Sequence, residues 1–182
     1  MDVREAIESR RAYRSLEESV ITEATARDLA RHAALAPSCF NKQPWRYVFV
    51  YGREALERLH GALAKGNEWA RAASMIAAVY SRKDLDCDVK GREYYLFDLG
   101  LSTAFLVLRA TELGLVAHPI AGFDEKKAKE ILGIGAEMKL ITLVIVGRHA
   151  AGINDLLTEQ QAEAEAERPE RLPMDEIARF VG

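Results

Sequence analysis

The amino-acid sequence predicts a single domain that mixes α-helices and β-strands. Its 182 residues fit one domain. With 49% hydrophobic and 29% charged residues, the chain can form a sizeable core. Segments with the apolar spacing of helices and segments rich in β-branched or aromatic residues follow each other in mixed order, without an internal repeat.

Capping residues and apolar spacing place five elements in the first half of the chain. Thr22 is a suitable N-cap, because its hydroxyl can accept a hydrogen bond from the first turn of a helix. The predicted elements are a helix over 2–10, a helix from Thr22 that stops before Pro37, a strand over Tyr47–Tyr51, a helix with Leu56, Leu59 and Leu63 on one side, and a strand over Met75–Ser81.

The second half contains the longest helical pattern, Tyr94–Leu113, which Gly114 is placed to end. This helix is apolar nearly all round, so it needs cover on every side. In a chain this small, we expect part of that cover to come from a second subunit. Asp124 then caps a short helix that ends at Gly133, and Lys139–Gly147 is the clearest strand.

The C-terminal segment allows two interpretations. Residues 158–167 are polar and helix-prone, whereas residues 168–182 carry apolar side chains that need cover. One interpretation is an arm, from about residue 150 to 182, that packs on a partner subunit. The alternative is that the segment folds back onto its own domain. The apolar residues in question are Met174, Ile177, Phe180 and Val181.

Composition excludes several classes of function. A net charge of −3 gives no basic field that would attract nucleic acid. Charged residues within the first five positions argue against an apolar leader, and the ten uncharged residues Leu99–Leu108 are too few to span a bilayer. The two cysteines, Cys39 and Cys87, do not make a disulfide framework and suggest no metal site. We therefore expect a soluble, cytoplasmic protein without nucleic-acid or membrane partners.

Arg10, Arg11 and Arg14 put three guanidiniums within five residues. Arg10 and Arg14 share a face if the first helix continues that far. A guanidinium binds phosphate oxygens through two parallel hydrogen bonds. On local evidence alone, a solvated cap at the C-terminus of the helix is the commoner explanation.

The Ala36–Trp45 segment lies between a predicted helix and a predicted strand. Ser38, Asn41 and Gln43 supply donors and acceptors in one tight turn, which suits the polar edge of a flavin ring. Ordinary turn chemistry is the alternative. No histidine lies at a spacing from Cys39 that would indicate a catalytic pair, so a nucleophilic role of Cys39 is not supported. Together with the arginines, this loop indicates a site for flavin mononucleotide (FMN).

A second loop is predicted over His118–Asp124, between the long helix and the capped one. Gly122 lets the backbone approach a ligand closely, because it has no Cβ. A glycine before a helix cap is also routine turn chemistry. His118 alone is more commonly a packed or surface histidine than a catalytic base.

Taken together, the motifs resemble those of the FMN-dependent nitroreductase family, in the family's order and over most of the chain. The matching segments are Arg10–Arg14 (Arg-Arg-Ser-x-Arg in the family), Pro37–Trp45 (Pro-Ser-x-x-Asn-x-Gln-Pro-Trp), Asp98–Gly114 (a long helix ending in Leu-Gly-Leu), Pro119–Phe123 (Pro-Ile-x-Gly-Phe) and Arg171–Ile177 (Arg-x-Pro-Leu-Glu-Glu-Ile).

The resemblance implies an α+β fold, with a mostly antiparallel sheet flanked by helices, in an intertwined homodimer. It implies two FMN sites at the dimer interface. The implied ligands are Arg10, Arg171, Arg168 and Arg11 at the phosphate, Arg14 and Asn67 at the pyrimidine edge of the ring, Ala121 and Gly122 at flavin N5 through backbone N–H, and Pro37, Ser38, Cys39 and Asn41 from the other subunit.

Three departures from the family pattern are visible. Ala12 replaces a serine, so one hydroxyl ligand to the phosphate is missing, typically a loss of about 1 kcal/mol. Ala121 stands where some members have glutamate, and a backbone contact would survive that change. The short Ser81–Glu93 stretch leaves little room for a helical insertion over the ring, which predicts an open pocket.

The resemblance also implies an activity. Hydride would pass from NADH or NADPH through flavin N5 to a nitroaromatic, a quinone or a similar electron-poor acceptor, by a ping-pong mechanism. No side chain is required as nucleophile or acid. The alternatives are a relative specialised for another reduction, of an enone, a halogenated ring or free flavin, and a dimer that binds FMN without turnover.

Overall fold

A five-stranded antiparallel sheet organises the structure, a computed structural model that describes residues 1–182. The strands of the sheet are β1 (Leu16–Glu17), β2 (Arg46–Tyr51), β3 (Met75–Ser81), β6 (Val116–Ile120) and β7 (Lys139–His149), and a separate hairpin is made of β4 (Asp88–Val89) and β5 (Arg92–Glu93). The helices are α1 (Val3–Ser9), α2 (Glu23–Ala33), α3 (Arg53–His60), α4 (Tyr94–Glu112), α5 (Glu125–Leu132), α6 (Glu159–Ala166) and α7 (Met174–Ile177).

Strand β7 is the central element of the sheet. It pairs with β3, β6 and β1, and β2 pairs with β3, all antiparallel. Because side chains alternate between the two faces of a strand, β7 contributes to two cores. Ile145 packs on the side of α3 and α5, and Val146 packs on the side of α2 and α4. The α+β fold with an antiparallel sheet flanked by helices is confirmed.

Helix α4 packs against one face of the sheet and contributes to the core on that face. Its inner face buries Leu99 and Leu106, and Gly114 follows it with a φ of +73°. On its outer face Leu96, Phe97 and Phe105 remain 41%, 62% and 38% exposed. The prediction of a helix that is apolar nearly all round is therefore confirmed, and one chain leaves part of it uncovered. No helix of the structure combines the length and apolar character needed to cross a bilayer.

The first helix, expected over residues 2–10, is confirmed, because α1 spans Val3–Ser9 with Asp2 and Arg10 as its cap residues. Two other expectations about elements were wrong. Leu63 lies beyond α3 and forms a bridge with Phe123. Val116–Ile120, taken in part as a loop, is strand β6. Pro119 made that strand hard to recognise, yet β6 pairs only with β7, and proline is tolerated on such an edge strand.

The cysteines also differ from expectation. Cys39 and Cys87 were not expected to form a disulfide, but the structure joins them by one across 48 residues. Spacing along the chain does not reveal this pair, because only the fold brings the 38–43 loop against the segment before β4.

The C-terminal segment divides into two parts. Helix α6 packs on its own chain, where the side chain of Gln161 donates to the carbonyl of Gly66 at 2.7 Å. Residues 158–167 therefore make contacts within their own chain, and the arm expected from about residue 150 to 182 stays a prediction. Beyond them the apolar side chains are 60% to 82% exposed, namely Leu172, Met174, Ile177, Phe180 and Val181.

Truncating a core residue of β7 should test the placement of the sheet. Val146→Ala removes two methyl groups from a fully buried site, so the free energy of unfolding should fall by about 2 kcal/mol. Val20→Ala is the matched control, because Val20 is 90% exposed. Urea denaturation measures both, and equal losses would contradict the assignment of β7 to the core.

Candidate functional site

Three arginines from the two ends of the chain converge at the C-terminus of α1. Arg10 is the C-cap of that helix. A guanidinium N–H of Arg168 donates to the carbonyl oxygen of Arg10 at 2.8 Å. Burial, and next the charges of Arg168 and Arg171, lower the pKa of Arg10. None of the three forms an ion pair with a carboxylate. This uncompensated positive cluster, the arginine cluster, suits a phosphate group.

The guanidinium of Arg11 is bound elsewhere, at the C-terminus of α6. Its Nη2 donates to the carbonyl oxygens of Glu167 at 2.6 Å and Glu165 at 3.2 Å. In return, the buried carboxylate of Glu165 accepts the backbone N–H of Arg14 at 2.7 Å and of Ser15 at 3.2 Å. Helix α6 is thereby fixed against the 10–15 segment. Nη2 of Arg11 is engaged at the end of α6, and the predicted phosphate contact of Arg11 through its backbone or side chain stays a prediction.

Arg14 lies over an aromatic ring. The sequence would have placed it on one helix face with Arg10 if the first helix had continued that far, but α1 ends at Ser9. Its guanidinium carbon is 6.0 Å from the ring centre of Trp69, and that ring is 4.7 Å from the ring of His118. Nδ1 of His118 lies 3.1 Å from the carbonyl oxygen of Tyr13. Since a carbonyl can only accept, Nδ1 carries the proton. Burial lowers the pKa of His118, and the charges of Arg14 and Arg10 act in the same direction.

The predicted N5 contacts, Ala121 and Gly122, follow directly after β6. The side-chain amide of Asn67 donates to the carbonyl of Gly122 at 2.8 Å and accepts from the indole N–H of Trp69 at 3.2 Å. A Cβ on Gly122 would overlap the Asn67 amide, so only glycine fits this contact. The backbone N–H groups of Ala121 and Gly122 donate no hydrogen bond within the chain, so they are available to a ligand. Asn67 holds this backbone in place.

The loop of residues 38–43 has an unusual backbone. Phe40, Asn41 and Gln43 all have positive φ, at +48°, +56° and +50°. Non-glycine residues in this region cost of order 1–3 kcal/mol each and persist where surrounding contacts enforce them. One such contact is the hydroxyl of Ser38, which accepts the N–H of Gln43 at 3.0 Å. We name this segment the strained loop.

The candidate residues divide into two groups within one chain. No hydrogen bond joins the strained loop to Arg10, Asn67 or Gly122. The loop is instead fixed to α4, where the N–H of Cys39 donates to the buried Asp98 at 2.6 Å. Arg10 lines a cavity of about 440 Å³ together with one side of α4, including Gly100 and Thr103, and with Pro119 and Thr142. One chain therefore presents two half-sites.

Sequence reasoning missed several residues that shape these half-sites. Glu165 was read as part of a solvated helix, and nothing in the local sequence marks it as buried. Trp69 lies on a segment without a recognised motif, whereas His118 was expected to be a packed or surface histidine and is buried against Trp69. Asp98 carried a usable signal, because it is the one carboxylate in the otherwise apolar first part of α4.

Comparison with known proteins gives this geometry a context. A family model described as the nitroreductase family matches residues 7–72 and 61–148. A Stenotrophomonas maltophilia protein named "Putative NADH dehydrogenase/NAD(P)H nitroreductase" is 31% identical over 133 residues, which cover 61% of this chain and 66% of that relative.

Two solved structures share the fold. One, described as the oxidoreductase containing FMN, has 27% sequence identity and a TM-score of 0.82, over 100% of this chain and 93% of its own. The other, a nitroreductase family protein from Clostridium novyi, has 26% identity and a TM-score of 0.76, over 83% of this chain and 87% of its own.

Removing the carboxylate of Glu165 should loosen α6. Glu165→Ala leaves the N–H groups of Arg14 and Ser15 without their acceptor, so the free energy of unfolding should fall by about 1–3 kcal/mol. Glu163→Ala, on the exposed side of the same helix, should change it by less than about 0.5 kcal/mol. Urea denaturation measures both variants. Equal free energies of unfolding for the two variants would show that the carboxylate of Glu165 does not hold this segment.

Acid should destabilise the fold through His118. Its folded pKa lies below the ordinary value of about 6.5, so the unfolded chain binds the proton more readily and stability falls as the pH drops below that value. His118→Gln should therefore reduce the loss of unfolding free energy between about pH 7.5 and 5. It should not abolish the loss, because burial also lowers the pKa of His60. An unaltered pH profile would contradict a neutral, buried His118.

Proposed function

Because this chain belongs to the nitroreductase family, we propose that it is an FMN-dependent oxidoreductase that takes electrons from NADH or NADPH and reduces electron-poor small molecules such as nitroaromatics or quinones. The observation that carries the proposal is the pairing of two features. The first is the arginine cluster, which has no carboxylate partner. The second is the pair of backbone N–H groups at Ala121 and Gly122, which donate no hydrogen bond within the chain.

These residues fit the two ends of FMN. Arg10, Arg168 and Arg171 would hold the phosphate, since three guanidiniums without carboxylate partners are stabilised by a dianion. The N–H groups of Ala121 and Gly122 would bind the ring near N5. Bound FMN supplies the redox chemistry, by accepting two electrons from the nicotinamide and passing them to the acceptor.

Arg14 would serve the ring as an electrostatic group. Its positive charge, fixed above Trp69, would stabilise negative charge at the pyrimidine edge of the reduced flavin. His118 lies behind this pair as a neutral imidazole, so it adds no second charge there. No carboxylate or cysteine of this half-site is needed as a nucleophile or an acid.

Two features support an intertwined homodimer. Pro37 and the strained loop, which carries the proposed ligands Ser38, Cys39 and Asn41, have no hydrogen bond to the half-site of their own chain, so a second subunit would supply them. The outer face of α4 and the residues after 167 expose apolar side chains that a partner would cover. We infer that residues 168–182 form the exchanged arm.

Spectroscopy tests the proposed reaction. Purified protein should be yellow or become so with added FMN, and anaerobic NADH or NADPH should bleach the flavin absorbance. An added quinone or nitroaromatic should then restore it. A flavin that binds but resists both nicotinamides would indicate a passive FMN binder and overturn the proposed activity.

The phosphate assignment can be tested at Arg10. Arg10→Ala should weaken FMN binding by about 1.5–3 kcal/mol, the scale of a charged hydrogen bond. Arg53→Ala is the control, because that side chain is 92% exposed on α3 and pairs only with Glu57. Titration followed by FMN fluorescence gives both dissociation constants. An unchanged constant for Arg10→Ala would remove this residue from the phosphate site.

One truncation and one double substitution separate the role of the arm from that of the arginines. A chain that ends at Leu172 keeps Arg168 and Arg171 but loses most exposed apolar residues of the tail, so it should dimerise poorly. The full-length double variant Arg168→Ala, Arg171→Ala should stay dimeric and bind FMN weakly. Light scattering reports the assembly state. If the shortened chain remains a dimer with wild-type affinity for FMN, the exchanged arm is ruled out.

A further inference from the structure

The disulfide between Cys39 and Cys87 ties the strained loop to another part of the chain. Cys39 is the second residue of that loop, and Cys87 immediately precedes β4. The two Cα atoms are 6.2 Å apart. No role in the proposed reaction requires this bond, so its position calls for a separate explanation.

Two carboxyl groups surround the disulfide. Asp98 accepts the backbone N–H of Cys39 at 2.6 Å, and Asp86 accepts that of Cys87 at 2.8 Å. A carboxylate oxygen of Asp86 lies within 4.8 Å of both sulfurs. Burial raises the pKa of Asp86, and the adjacent Asp98 carboxyl acts in the same direction. The pair of sulfurs therefore has a carboxyl group beside it whose pKa is raised, and which is close enough to exchange a proton with either sulfur.

We propose that Cys39 and Cys87 are a reversible dithiol–disulfide pair that sets how firmly the strained loop is held and thereby the affinity for FMN. The second half of this inference rests on the proposed function, because the loop is there assigned to the flavin site. The first half, reversible redox chemistry at these two residues, does not depend on FMN.

The redox step balances with a dithiol as the reductant. A thiolate of the donor attacks one sulfur, the bond between Cys39 and Cys87 breaks, and the departing thiolate takes up a proton, for which Asp86 is the nearest candidate. The second thiol of the donor then displaces the first cysteine, closes the donor's own disulfide and releases its proton to that cysteine. Two electrons pass from donor to protein. Oxidised glutathione drives the reverse step and leaves as two thiols.

Opening the pair should affect the loop because its other restraints are few. Phe40, Asn41 and Gln43 adopt positive φ directly after Cys39. Without the disulfide, the loop keeps the hydrogen bond from Cys39 to Asp98 and its internal hydrogen bond from Gln43 to Ser38, but it loses its link to the segment before β4. Strained conformations persist only while the surroundings enforce them, so reduction should let these residues relax. In compartments that keep thiols reduced, such pairs are usually transient and redox-sensing.

The first test counts thiols. Wild-type protein equilibrated with oxidised glutathione, denatured and treated with a thiol reagent, should show no free thiol, and after dithiothreitol it should show both cysteines of the chain. Asp86→Asn should slow reduction by dithiothreitol. Two free thiols under oxidising conditions would overturn the proposal, and an unchanged rate for Asp86→Asn would overturn the role of that carboxyl.

The second test compares the loop in both forms. Amides of residues 40–43 should exchange hydrogen faster in the reduced protein, with or without FMN. The reduced form should bind FMN about fivefold more weakly, the lower end of the usual coupling between two sites. Cys87→Ser keeps Cys39 and should show the weak affinity whether or not dithiothreitol is present.

The outcomes separate the two proposals. Equal exchange and equal affinity in both forms would overturn redox control of the loop. If neither form binds FMN, the proposed function fails, and the exchange measurement alone then decides whether the pair holds the loop.

Discussion

The convergence of Arg10, Arg168 and Arg171 is the interaction on which the rest of the site depends. Like charges held together in a partly buried place raise the free energy of the folded chain, and the lowered pKa of Arg10 expresses that cost. No carboxylate offsets it. A bound phosphate would offset it, and for this reason the cluster supports the proposed phosphate site of FMN.

The same cluster also organises the chain around it. The guanidinium of Arg168 bonds to the end of α1. Arg11 donates to carbonyl oxygens at the end of α6, and the carboxylate of Glu165 on α6 accepts the backbone N–H groups of Arg14 and Ser15. The two ends of the sequence are thereby held together beside β6. The carbonyl oxygen of Tyr13 lies 3.1 Å from Nδ1 of His118 on β6, so this segment also contacts the strand that Ala121 and Gly122 follow.

Helix α4 links the two half-sites to the uncovered surface of the chain. Leu99 and Leu106 anchor it to the sheet, Asp98 holds the strained loop, and its outer face remains apolar and exposed. A single element therefore fixes the core, one half-site and the surface where a second subunit would pack. The disulfide at Cys39 adds a covalent restraint to the same loop, so oxidation state and loop geometry are connected through α4 and the segment before β4.

The sequence by itself determined most elements, because capping residues and apolar periodicity act over short distances. Thr22, Asp124 and Gly133 mark helix ends where the structure has them, and β3 spans the predicted residues. The motif order identified the family and its cofactor. Only the tertiary structure decided the partners of these residues. The buried role of Glu165, the pairing of Cys39 with Cys87, the strand at Pro119 and the meeting of Arg10 with Arg168 all join positions far apart in the chain, and local patterns carry no information about such contacts.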